Sequence, residues 1–127
     1  MTSDDSSDLP CIDVIDAMDG RQFERCCARI LIRNGYENVS LTKATGDQGI
    51  DILAHKDGVC YGIQCKCYYA DLDNTPIQEA CAGKEYYGCN IVVVMTNRSF
   101  THAAVELAQR NNVVLWDRQM LLRMLTR

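Results

Sequence analysis

Residues 90–96 read Asn-Ile-Val-Val-Val-Met-Thr, an apolar run with no polar alternation. A strand of that pattern is covered on both faces, as in sheets flanked by helices. The neighbouring segments supply such covers. Residues 19–33 carry Phe23, Cys26, Cys27, Ile30 and Leu31 at spacings of three and four, with Asp19 as a cap and Asn34-Gly35 as a stop. Residues 75–87 predict a second helix, with Pro76 in its first turn and Gly88 at its end. Residues 99–111 predict a third, with Ala103, Leu107 and Ala108 inward, and residues 118–125 a closing one.

Between the first two helices the period changes to that of strands. Residues 38–43 and 50–55 read as two strands joined by Thr45-Gly46-Asp47-Gln48-Gly49. Asp57-Gly58 then predicts a tight hairpin into a third strand over residues 59–68. Residues 113–116 form a last short strand. The order is α-β-β-β-α-β-α-β-α: an antiparallel meander followed by crossover units, hence a mixed central sheet flanked by helices.

Composition bounds what such a sheet is used for. The 127 residues are 47% hydrophobic and 24% charged, as expected of one globular domain. No apolar run approaches the roughly 18 residues that span a bilayer, so no membrane role is expected. Residues 1–20 hold six aspartates and neither Lys nor Arg. The rest of the chain holds all 13 Lys and Arg against 11 acids, a net of +2. The expected organisation is therefore an acidic, flexible lead-in over residues 1–18 and a folded domain over 19–127. A pI near 5.0 argues against a strong, non-specific nucleic-acid clamp but leaves room for local binding through a metal and a few cations. The eight cysteines follow a start that lacks a basic export signal, so they are expected to be reduced and mostly buried in a cytoplasmic protein. They form no CxxC pair, which argues against zinc.

Chemistry concentrates in Gly46-Asp47-Gln48-Gly49-Ile50-Asp51 and in Ile63-Gln64-Cys65-Lys66-Cys67. Gln64 and Lys66 are two apart on one strand and share a face, while Ile63, Cys65 and Cys67 take the core side. The hairpin brings Asp51 alongside. A carboxylate, an amide and an ammonium are thus gathered at one end of a sheet. Hard Mg²⁺ takes oxygen ligands, which Asp51, the Gln64 side-chain carbonyl and the backbone carbonyl of Cys65 can provide. Lys66 is the type of residue that holds an attacking water or steadies charge on a phosphate.

The chain resembles the Mrr-like restriction endonuclease domain of the PD-(D/E)xK nuclease superfamily. The resemblance is carried by Phe23-Glu24, Gly35-Tyr36, residues 46–51, Gln64-Cys65-Lys66, residues 82–88 and residues 96–101. It implies a restriction-endonuclease-like α/β fold and Mg²⁺-dependent (or Mn²⁺-dependent) hydrolysis of DNA, in restriction of foreign or modified DNA. Asp51, Gln64 and Lys66 correspond to the catalytic trio, and Glu24 to an acid on the first helix that joins the metal site. Lys84, Gln78 and Arg98 are implied as phosphate contacts. The resemblance also implies a separate specificity or sensor module, and cutting both strands calls for a homodimer. The neutral Gln64 stands where the wider superfamily has an acid, and Glu24 or Asp47 can restore the missing charge.

Blander readings stand beside these. Asp47 between glycines is equally a turn former. Arg21, Arg25, Arg29 and Arg33 step along a solvated helix face. His55 and His102 have no partner at a metal or triad spacing. A non-catalytic binding module of the same fold and a resolvase- or repair-type nuclease both remain open.

Overall fold

The computed structural model of the protein describes residues 8–42 and 49–126. Residues 43–48, with the candidate ligand Asp47, and residues 1–7 of the acidic lead-in lie outside the described residues. In chain order the elements are α1 (Ile12–Asp16), α2 (Gly20–Arg33), β1 (Glu37–Leu41), β2 (Ile52–Lys56), β3 (Val59–Lys66), α3 (Thr75–Tyr87), β4 (Ile91–Thr96), α4 (His102–Arg110), β5 (Val113–Trp116) and α5 (Arg118–Leu125). The strands form one sheet in the order β1-β2-β3-β4-β5. The first three pair antiparallel, whereas β3–β4 and β4–β5 pair parallel.

The sheet is mixed because the connections change in kind. Asp57 and Gly58 both adopt positive φ, 53° and 80°, as a two-residue hairpin turn requires. That turn returns β3 against β2 without a crossover. From β3 onward each connection carries a helix, so the following strands run parallel.

The central run behaves as its composition demands. Along β4, Val93 and Met95 face α2 and α5, whereas Val92 and Val94 face α3 and α4. All four are fully buried. The partition extends to β3 through the register Gln64↔Val94 and Lys66↔Thr96. Ile63 and Cys65 thus enter the α2 core, while Gln64 and Lys66 take the α3 side.

Two elements differ from the sequence expectation. Helix α4 starts at His102, where the Thr101 hydroxyl accepts from Ala104 N–H (3.2 Å) and sets the first turn. That phase buries Ala104 and Ala108, leaves Leu107 half-buried and turns Ala103 to solvent. Ahead of Asp19, α1 places Ile15 in the α2 core with no exposure. Asp16 anchors this helix by receiving two guanidinium hydrogen bonds from Arg118 (2.9 and 3.0 Å) and one from the Asn97 amide (2.9 Å). Among the described residues no helix is long and apolar enough to cross a membrane. Four of the eight free thiols are buried, including Cys89, whose Sγ fills the space a side chain at residue 62 would occupy.

The Arg118 hydrogen bonds hold the Asp16 carboxyl below its usual range. A depressed folded pKa contributes stability above the unfolded value, near 3.9, which is lost as pH falls through the folded pKa. Asp16→Asn is expected to lower the urea midpoint at pH 7 modestly, corresponding to less than about 1 kcal/mol of unfolding free energy given the partial exposure. The difference from wild type should vanish at the acid end. An undiminished difference there would contradict this account.

Candidate active site

The carboxyl end of β3 and the residues just before β2 open onto a pocket of about 450 Å³ lined by Glu24, Gly49, Asp51, Gln64, Cys65, Lys66, Tyr68 and Glu79, among others. Ligands in α/β sheets gather at such strand ends. Asp51 sits one residue before β2, and its N–H donates to Ile63 O at 2.8 Å. Continuing the β2–β3 register one step beyond Ile52↔Ile63 sets Asp51 opposite Gln64. The Asp51 carboxylate accepts the Cys65 N–H at 2.7 Å, so backbone hydrogen bonds fix both its main chain and its side chain.

Glu24 reaches the pocket from α2. Asp19 and Gln22 form a capping box that fixes the start of the helix. Phe23, Cys26, Cys27, Ile30 and Leu31 anchor its inner face. Glu24 flanks that stripe, half-buried, and its carboxyl interacts with that of Asp51. Burial pushes both carboxyls above their usual range, and the charge of Asp51 pushes Glu24 further. The Cys65 N–H and the Lys66 ammonium oppose the rise at Asp51. Two crowded acids raised in this way favour either a shared proton or a cation.

Gln64 is 4% exposed. Its amide nitrogen donates to Glu79 Oε1 at 2.7 Å, which fixes the carboxamide's orientation because a carboxylate only accepts. Its carbonyl Oε1 is buried and has no hydrogen-bond partner. An orphaned buried acceptor costs about 1–3 kcal/mol and calls for an explanation. Lys66 Nζ lies 3.5 Å from the same Glu79 oxygen and is a third exposed, so its ammonium reaches the pocket.

Glu79 is the residue that sequence reasoning missed. It arrives from the first half of α3, fifteen positions after Gln64, with no motif to mark it. One signal was present in Gly49, whose φ is +76° and whose missing Cβ would overlap the Glu79 backbone carbonyl. The second glycine of residues 46–49 therefore lets α3 approach the segment just before β2 that carries Asp51.

The structure brings Asp51, Gln64, Cys65, Lys66 and Glu24 into one pocket. It does not bring the three expected phosphate contacts there. Gln78 is exposed on the first half of α3. Lys84 lines a separate depression with Cys81, Cys89 and Val92, toward the opposite end of the sheet. Arg98 follows β4, where its N–H donates to Thr96 Oγ1 and its carbonyl accepts from Arg118 N–H. Among the described residues no three His, Cys, Asp or Glu side chains gather as a metal-holding group. The side-chain oxygen donors among the residues lining the pocket are the carboxylates of Glu24, Asp51 and Glu79 and the carboxamide of Gln64.

A family model described as Mrr_cat, restriction endonuclease, matches residues 15–125. The search of curated proteins found no match. Two solved structures share the fold. One is a DNA modification-dependent restriction endonuclease, AspBHI, with a TM-score of 0.69, 16% identity, and 98% of this chain matched to 38% of that one. The other is the protein of unknown function AF1548, with a TM-score of 0.63, 24% identity, and 74% of this chain matched to 55% of that one. The chain thus aligns with about half or less of each of these larger proteins.

Because the folded pKa of Glu24 is raised, its ionisation costs stability as pH rises through that value. In metal-free buffer at pH 7, Glu24→Gln is expected to raise Tm by about 2 °C, a small gain because partial exposure screens the two carboxyls. The gain should shrink toward pH 5. A lowered Tm would show that the two carboxyls are not in conflict.

Proposed function

This chain belongs to the Mrr_cat restriction endonuclease family, a family of nucleases, and from that premise we propose that it hydrolyses DNA phosphodiester bonds with a divalent cation, Mg²⁺ or Mn²⁺. The observation that carries the metal reading is the buried Gln64 carbonyl, without a partner and beside two carboxyls pushed above their usual range. A cation satisfies all three groups at once. Asp51, the Gln64 carbonyl, the Cys65 backbone carbonyl and Glu24 are the residues that would hold it, with waters completing the oxygen shell. When bound, it supplies charge neutralisation and a lowered water pKa.

The protein's own groups divide the remaining work. Asp51, fixed by the Cys65 N–H, is a rigid ligand. Glu24 restores the negative charge that an amide at position 64 lacks. The Lys66 ammonium holds the attacking water or a scissile phosphate oxygen and steadies the charge that develops there. Its location in the pocket suits either role. Phosphate binding then rests on this local site rather than on a basic face.

The biological reading is restriction of foreign or modified DNA in the cytoplasm. Sequence discrimination is assigned to a specificity or sensor module, and two copies are needed to cut both strands. The catalytic unit is read as beginning before Asp19, because Ile15 belongs to its core and Asp16 ties α1 to the end of β4.

Incubation with supercoiled plasmid, methylated and unmethylated, in Mg²⁺ or Mn²⁺ tests this function. Nicking or linearisation is expected to stop on chelation and to fall at least about a hundredfold in Lys66→Ala and Asp51→Ala. Comparison of the two plasmids reads modification dependence. Wild-type cleavage by either variant would overturn the site assignment. A wild-type protein that binds metal and DNA yet never cleaves would favour the non-catalytic module.

A further inference from the structure

The trio inferred from sequence leaves Glu79 without a role, yet it touches two of the three members. Its Oε1 accepts from Gln64 Nε2 at 2.7 Å and lies 3.5 Å from Lys66 Nζ. We infer that Glu79 is a positioning residue that locks the Gln64 carboxamide with its carbonyl toward the cation. This rests on the metal reading above and extends it to a residue outside the sequence motif.

The argument turns on the two faces of an amide. A side-chain carboxamide has one accepting and one donating end, and free rotation interchanges them. A Gln at a cation site therefore offers either a ligand oxygen or a repelling NH₂. The Glu79 carboxylate accepts only, so it selects the rotamer in which NH₂ points at α3 and Oε1 is left unpaired. The choice exposes a buried acceptor to no partner, a poor arrangement for a merely structural hydrogen bond. It becomes favourable when a cation takes the oxygen. Outer partners of metal ligands commonly act in this way, orienting the ligand and sharpening its affinity.

The placement of Glu79 is itself built in. Its backbone carbonyl packs against Gly49, where any Cβ would overlap it. Ile77 and Ala80, its near neighbours on α3, are fully buried in the core beneath Val92 and Val94. The carboxylate is thus delivered by a helix fixed on both sides, while its head group remains half exposed at the pocket.

The substitution that separates orientation from bulk is Glu79→Gln. A glutamine there donates as readily as it accepts, so it allows the Gln64 carbonyl to turn toward α3 and leave the cation. Mn²⁺ affinity is measured by calorimetry, without DNA, on wild type, Glu79→Gln, Gln64→Ala and the double variant. Circular dichroism and Tm confirm that each is folded. Glu79→Gln is expected to weaken Mn²⁺ binding about tenfold, and the loss should disappear in the Gln64→Ala background. Unchanged affinity in Glu79→Gln, or an equal loss with and without Gln64, would overturn the positioning role. A wild-type protein that binds no Mn²⁺ would overturn the metal reading itself and this inference with it.

Discussion

The hydrogen bond from Cys65 N–H to the Asp51 carboxylate is the contact on which the site depends. It joins the residue that opens β2 to the strand bearing Gln64 and Lys66, so one backbone donor aligns acid, amide and ammonium. The bond exists because the Asp57-Gly58 turn returns β3 in a fixed register and because Asp51 N–H pairs with Ile63 O just before β2 begins. Sheet geometry does the positioning. Flexible side chains are left little to decide.

The same geometry creates the site's electrostatic conflict. Glu24 comes from α2, whose inner face is buried, and Asp51 from the β2–β3 hairpin, and neither can withdraw without disturbing core residues such as Phe23 or Ile52. Two carboxyls and an unpaired amide oxygen are therefore held where they repel or want for partners. Buried polar groups of this kind persist when the surrounding fold over-determines them, and they commonly mark functional positions. The α2 and α3 cores, one on each sheet face, supply the stability that offsets the strain.

Much of this was legible in the sequence because the signals were local. The two-face burial of residues 92–95 follows from an apolar run, and the hairpin from Asp57-Gly58. The shared face of Gln64 and Lys66 follows from period two. Phe23 and Leu31 betray the inner face of α2, and Glu24 falls beside it. What escaped were contacts made across the fold. Glu79 belongs to the pocket only because α3 crosses the β3 face over Gly49. The helix α1 reads as polar lead-in, since its single fully buried side chain, Ile15, gives no periodicity to detect. On α4 the buried stripe is Ala104 and Ala108 with Leu107 at its edge, so the expected face stands except at Ala103. The helix begins at His102 because Thr101 caps it. Lys84 was inferred from family likeness alone, and the length of α3 carries it to the other depression.

The central claim is that a divalent cation completes the pocket by taking the oxygens the fold leaves unpaired. Anomalous diffraction from crystals of the protein grown with Mn²⁺ locates that cation directly. The account predicts one peak within ligand distance of an Asp51 carboxylate oxygen and of Gln64 Oε1, with the Gln64 amide still donating to Glu79. A peak held elsewhere, or a Gln64 carbonyl turned toward α3 with the cation bound, would contradict it.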